Sequence, residues 1–290
     1  MPINKKPIRV LVVDDSSTVR MILTKELSKD EDIEVVGAAS DPFIARDMIL
    51  DLDPDVVTLD INMPKMDGLT FLQKIMKYHP LPVIIISSTT SAGSENAIRA
   101  LELGAVEVLG KPEGKSLKEI NEELTDKIKI ASKALVRLPS GKTAIRSSHK
   151  KTVSRESLSQ SKSIIAIGSS TGGTEAIKDV IYRLPSAIPG IVIAQHMPSY
   201  FIHHFADRLN RECDLYVKVA EDGDVVTDGT VLVAPGGLHS TIKRRGAQFV
   251  ISLNDGPKVN FQKPSVDVLF DSVAEVAGDK AIGVILTGMG

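Results

Sequence analysis

Between the apolar run IIAI at residues 164–167 and the helical pattern TEAIKDVIYRL stand Gly168, Ser169, Ser170, Thr171 and Gly172. A strand, a small hydroxyl-rich bend and a helix can hold a phosphate, a dinucleotide or a nucleophile, and the residue types decide among them. A phosphate loop needs Gly-Lys followed by Ser or Thr, whereas Gly172 and Gly173 are followed by Thr174 and Glu175. A dinucleotide fingerprint needs glycine where Ser170 stands, and its side chain would crowd the pyrophosphate. What fits is G-x-S-x-G, a tight turn that lifts Ser170 out at a helix N-terminus, where backbone amides can stabilise an oxyanion. A serine needs a base, and His196 is best placed, because IVIAQHMP ends the next strand at the same sheet edge. His203, His204 and His239 read as surface or packing residues, and His79 as a helix end. No Cys/His cluster has metal-ligand spacing, which leaves a zinc hydrolase without support, and Cys213 reads as a filler.

A second constellation lies earlier. Asp14 and Asp15 close the run IRVLVV, Asp60 closes VVTL, Ser87 closes VIII, and Lys111 follows VEVLG. In an open parallel sheet the carboxyl ends of the strands line one crevice, so these groups converge although they are far apart in sequence. Three carboxylates in one pocket repel unless a hard cation neutralises them, and an oxygen-only set suits Mg²⁺. Asp60 is then placed to attack a phosphoryl group, with Lys111 and a serine hydroxyl holding its oxygens.

The elements that must position these groups follow from patterning. Short β-branched runs alternate with helical periods through residue 136, and again from SIIAIG at 163 to AIGVILTG. Strands without polar alternation are covered on both faces, which means parallel sheets between helices. We therefore expect an α/β protein of two doubly wound parallel-sheet domains, flavodoxin-like over 7–125 and Rossmann-like over 162–290. Between them, 126–161 holds a helix end and a flexible linker, since residues 137–162 carry seven serines and seven Lys or Arg against one Glu. The Gly- and Asp-rich patch EDGDVVTDGTVLVAPGG predicts hairpins, and IKRRG reads as a hairpin end. The apolar run after the N-terminal lysines meets Asp14 too soon for a signal peptide, and no apolar run approaches a membrane span. A cytoplasmic protein that is not membrane-embedded is expected. A net charge of −2 and the lack of a basic recognition helix argue against a nucleic-acid partner.

VVDDS, LDINMPKMDGL and GKP resemble the receiver domain of two-component response regulators. That resemblance implies Asp60 as phosphoacceptor, Asp14, Asp15, Asp60 and the Asn62 carbonyl as Mg²⁺ ligands, Ser87 as switch hydroxyl and Lys111 as phosphate sensor. It also implies a cis Lys111-Pro112 bond, while Val108 departs from the aromatic many receivers place there. IAIGSSTGGTEAI, AQHMP, APGG-x-H, PSVDVLF and GVILTGMG resemble the chemotaxis protein-glutamate methylesterases of the CheB type. That resemblance implies Ser170 as nucleophile, His196 as base, and Thr171 and Met289 lining the oxyanion site. It further implies hydrolysis of glutamyl methyl esters on chemoreceptor cytoplasmic helices, deamidation of glutamines, a chemotaxis histidine kinase as phosphodonor, and no cofactor in the esterase half.

In that family the triad acid follows TGMG, where this chain stops at Gly290. The expectation is thus a fragment incomplete at the C-terminus, weak or inactive as it stands, because loss of such an acid costs about 10⁴ in kcat. Asp222, Asp224, Asp255 and Asp267 are not promoted in its place, and the strand AIGVILTG is expected to lack a neighbour. The alternative is a receiver phosphoswitch or binding module with a catalytically inert C-terminal part.

Overall fold

The computed structural model describes residues 6–87, 91–111, 117–134 and 161–288. The chain divides into two compact units, Met1–Gly141 and Lys142–Gly290. Residues 135–160 of the expected linker, Pro112 and Met289 lie outside the described residues.

The first unit alternates strictly: β1 (Ile8–Val13), α1 (Ser17–Leu27), β2 (Ile33–Ala39), α2 (Pro42–Leu52), β3 (Val56–Asp60), α3 (Gly68–Tyr78), β4 (Val83–Ser87), α4 (Ser91–Glu102), β5 (Glu107–Gly110) and α5 (Leu117–Ala131). All pairings are parallel, in the order β2-β1-β3-β4-β5. Every residue of β3 and β4 is buried, as a sheet covered on both faces demands. Helix starts are chemically specified. Asp41 accepts from the N–H groups of Phe43 and Ile44 ahead of Pro42, Asp67 accepts from Thr70 N–H, and Ser16 from Val19 N–H. The strand order reverses at β1, which pairs β2 on one side and β3 on the other, and doubly wound folds open their ligand crevice at such a reversal.

The second unit runs β6 (Ile164–Ser169), α6 (Gly173–Ile181), β7 (Gly190–Gln195), α7 (Ser199–Glu212), β8 (Tyr216–Val219), β9 (Thr230–Val233), β10 (His239–Arg245), β11 (Gln248–Asn254), α8 (Val266–Ala277) and β12 (Ala281–Ile285). Five strands form a parallel sheet in the order β12-β6-β7-β9-β8, with its reversal at β6. β10 and β11 form a separate antiparallel ribbon whose turn follows Arg245, where a hairpin end was expected. The hairpins expected in the Gly- and Asp-rich patch do not form. β8 and β9 pair parallel, Tyr216 to Thr230, because the patch carries the chain back across the sheet rather than folding it on itself. β12 has a neighbour after all. It pairs β6 from Ala281↔Ile164 to Ile285↔Gly168, while Ile282 and Ile285 stay exposed on this edge strand. Ser161, just before β6, is buried and tied in: its hydroxyl donates to Asp228 and accepts from Gly190 N–H.

Each unit has its own core. Val10, Val12, Leu27, Ile84 and Ile128 join in the first, and Ile164, Val192, Leu232, Phe249 and Leu269 in the second. No helix among the described residues is long and apolar enough to cross a membrane.

Candidate functional site

In the first unit Asp14, Asp15 and Asp60 each bring a carboxylate oxygen within 4.8 Å of the others. Asp14 and Asp60 are buried and Asp15 is exposed, so the cluster opens to solvent on one side. Lys111 Nζ lies 2.8 Å from Asp60 Oδ2 and 3.1 Å from Asp14 Oδ2. Burial pushes the Asp60 carboxyl above its ordinary range, with Lys111 opposing and Asp14 adding to the rise. Burial acts to lower Lys111, yet its bond to Asp60 and the charges of Asp60 and Asp14 hold its ammonium above the usual value. Lys111 thus offsets the burial penalty on Asp60 without overcoming it.

The loops around the cluster are braced from below. Arg20 Nη1 donates to the carbonyls of Asp14 at 2.8 Å and Asp15 at 2.9 Å, and Asp14 Oδ1 accepts from Ser16 N–H at 2.8 Å. Gly68 packs so closely on the loop after β3 that a Cβ there would stand 2.2 Å from the Asp60 carbonyl oxygen. Lys65, in the same loop, reaches 2.7 Å to Asp41 and holds that carboxyl below its ordinary range. Ser87 closes β4 fully buried, and its carbonyl accepts from Lys111 N–H at 2.7 Å, which seats the lysine beside the cluster. A cation fits this pocket. Asp60 Oδ1 is buried without a hydrogen-bond partner, and the available donors are all oxygens, the preference of Mg²⁺.

In the second unit the register pairs Ser169 with Gln195, so Ser170 and His196 leave neighbouring parallel strands side by side at the carboxyl edge. His196 N–H donates to the Ser169 carbonyl at 3.1 Å, and both side chains are buried, with 7% and 6% of Ser170 and His196 exposed. The bend obeys its glycines. Gly172 takes φ +73°, and a Cβ at Gly173 would stand 2.1 Å from Ser169 Oγ. Gly168 makes room for Val266 of α8, whose Cγ1 would lie 2.3 Å from an added Cβ. Thr171 Oγ1 is buried without a hydrogen-bond partner, a donor not yet spent.

The chain after β12 closes over this bend. Ser170 N–H donates to the Thr287 carbonyl at 2.7 Å, Thr287 Oγ1 donates to the Thr171 carbonyl at 3.2 Å, and Gly288 leaves no room for a Cβ beside Ser170. From the β7 side, Gln195 Nε2 donates to the carbonyls of Ser170 at 2.9 Å and His196 at 3.1 Å, bracing both turns at once.

Sequence profiles place this geometry. The CheB methylesterase profile matches residues 165–290, and the response regulator receiver domain profile matches 10–124. A protein-glutamate methylesterase/protein-glutamine glutaminase of Syntrophus aciditrophicus is 51% identical over 284 residues, covering 98% of this chain and 82% of that protein. The protein so named from Escherichia coli K12 is 48% identical over 286 residues, covering 98% and 80%. The chain belongs to the CheB methylesterase family. Among solved structures, the CheB methylesterase catalytic domain of Thermotoga maritima shares 43% identity over 44% of this chain and 68% of its own, with a TM-score of 0.43. The response regulator domain of Thermotoga maritima CheB shares 41% over 45% and 99%, with a TM-score of 0.42. The family carries both halves, a receiver ahead of a methylesterase domain.

Within this frame the structure gathers Asp14, Asp15, Asp60 and Lys111 in the receiver unit, and Ser170, Thr171 and His196 in the methylesterase unit. The other described histidines have surroundings of their own. His239 is buried, with Nε2 2.8 Å from the Pro257 carbonyl and Nδ1 accepting from Ser265 N–H at 3.1 Å, so it is a packing residue with a fixed tautomer. His203 is exposed on α7, and His79 ends α3. The four aspartates not promoted from sequence have other partners. Asp222 accepts from Leu253 N–H, Asp224 binds Lys218, Asp255 binds Lys263 and Asp267 accepts from Asn260. Gln195 and Thr287 were missed by sequence reasoning. The signal for Gln195 was a lone amide closing the otherwise apolar GIVIA of β7, whereas Thr287 had none, because its role is made by the β6–β12 register.

Proposed function

We propose that this protein hydrolyses γ-glutamyl methyl esters on the cytoplasmic helices of chemoreceptors, and deamidates glutamines there, under control of phosphorylation in its receiver unit. One observation carries the hydrolytic half: Ser170 and His196 emerge side by side from β6 and β7, at the reversal of the sheet, in a chain of the CheB methylesterase family. His196 takes the Ser170 proton as the hydroxyl attacks the ester carbonyl, forming a tetrahedral intermediate. The Thr171 hydroxyl and nearby amides receive the oxyanion. Methanol leaves with the proton from His196, water then attacks the acyl-serine with His196 again as base, and glutamate is released. A primary amide passes through the same intermediate with ammonia as leaving group.

In the receiver unit, Asp60 is the acceptor of a phosphoryl group from a chemotaxis histidine kinase. Asp14, Asp15, Asp60 and the Asn62 carbonyl would hold Mg²⁺, which supplies charge neutralisation for phosphoryl transfer. Lys111 Nζ, already between Asp14 and Asp60, binds a phosphoryl oxygen, and the Ser87 hydroxyl reports the new charge. The test of hydrolysis is methanol release from methylated receptor by the full-length protein. Ser170→Ala is expected to lower it at least 10³-fold, by roughly the measure of losing a serine nucleophile. Unchanged release would overturn the assignment, and no release by the wild type would favour a receiver module with an inert second half.

A further inference from the structure

Residues 255–265 join the β10–β11 ribbon to α8 and are tied to the start of β10 and the turn before it. Lys263 binds Asp255 at its entry, Gly237 N–H donates to the Lys263 carbonyl at 3.2 Å, and Ser265 N–H donates to His239 Nδ1 at 3.1 Å. Val266, the next residue, packs against Gly168, two positions before Ser170. At the tip, Val259 and Gln262 exchange both backbone bonds, at 3.2 and 3.0 Å, closing a two-residue turn around Asn260 and Phe261. Asn260 is also pinned by Asp267 at 2.5 Å, so the tip is held from α8.

Phe261 contradicts its position twice. It takes φ +63° after Asn260 at +50°, in a turn whose second central place is ordinarily glycine, and an aromatic residue there is strained. It is also 87% exposed, the highest value among the described large apolar side chains. Neither folding nor solubility gains from an aromatic ring in that place. Strain held by a rigid surround on an exposed tip is a mark of residues that meet a ligand. Aromatic rings are also the anchors by which protein surfaces hold one another.

We infer that Phe261 is a substrate-specificity residue, seating against an apolar side chain of the receptor helix that presents the esterified glutamate to Ser170. The inference rests on the hydrolase reading above. Lys258, exposed beside the tip, suits the acidic character of a helix that carries glutamates. Contact through one ring on a braced turn orients a helix without enclosing it.

The test compares methanol release from methylated receptor by the full-length wild type, Phe261→Gly and Phe261→Tyr. Glycine removes the ring and relieves the left-handed backbone, so the thermal midpoint is expected at or above that of the wild type, while KM rises at least tenfold and kcat stays within twofold. Tyrosine keeps the ring and is expected to hold KM within threefold. An unchanged KM in Phe261→Gly, with the wild type active, would overturn this inference and leave the hydrolase reading standing. A wild type without methanol release would overturn both. A glycine variant with a lowered thermal midpoint and a lowered kcat would show the turn to be structural and end the proposal.

Discussion

At the residue scale, the proposed hydrolytic site depends on one side chain that braces two turns. Gln195 Nε2 spans the carbonyls of Ser170 and His196, so one amide ties together the turns that carry the proposed nucleophile and base. Removing it takes one donor from each carbonyl, the Ser170 carbonyl keeping only Gly173 N–H, and frees both turns to shift, and a misplacement of about 1 Å can cost roughly 10²-fold in rate. Gln195→Leu is therefore expected to lower kcat for ester hydrolysis roughly 10- to 100-fold with little change in KM, measured by steady-state methanol release. A loss confined to KM would contradict a positioning role. The serine and the histidine were legible in sequence because strand ends are chemically marked, an apolar run stopping at a polar residue. Gln195 was shadowed by the histidine beside it, and the tautomer of His239 was hidden because its two partners, Pro257 and Ser265, meet it only through the folded loop.

At the scale of elements, α6 and α7 are clamped by charge as well as by packing. Arg208, 1% exposed, meets Glu175 of α6 at 2.9 Å and Glu212 one turn on at 3.2 Å, while Lys178 of α6 meets Glu212 at 2.8 Å. Burial acts to raise the Glu212 carboxyl, but Lys178 and Arg208 prevail and hold it below the ordinary glutamate range. A depressed folded value means that ionised Glu212 stabilises the unit at and above the ordinary range, and that this contribution is lost as pH falls through the lower folded value. Glu212→Gln is expected to cost about 1 kcal/mol at pH 7, discounted for its partial exposure, and to narrow the gap to the wild type at low pH. Denaturant unfolding of the second unit at pH 7 and below pH 4 measures both, and a constant gap would contradict the clamp. α6 and α7 themselves were readable from period. The parallel pairing of β8 with β9 was not, because glycines and aspartates mark where a chain turns and not where it goes next.

At the scale of the molecule, both parallel sheets set their polar groups at strand carboxyl ends, carboxylates at β1 and β3 and a hydroxyl with an imidazole after β6 and β7. That recurrence made both sites readable, since parallel strands send their carboxyl ends to a common rim whatever the loops do. A receiver ahead of a hydrolase predicts control of one by the other. Asp60→Asn is expected to abolish stimulation of ester hydrolysis by Mg²⁺ with a small acyl phosphate, and deletion of residues 1–160 is expected to raise the unstimulated rate. A stimulated Asp60→Asn variant would remove the receiver from the account.

The central claim is that the Ser170 hydroxyl is activated by His196, and covalent labelling tests it most directly. Full-length protein treated with a fluorophosphonate ester and digested for mass spectrometry is expected to carry one adduct, on the peptide containing Ser170. His196→Gln should slow that labelling at least 100-fold, with the thermal midpoint measured alongside to show that the variant is folded. Labelling at another serine, or at Ser170 with undiminished rate in the His196→Gln protein, would contradict the account.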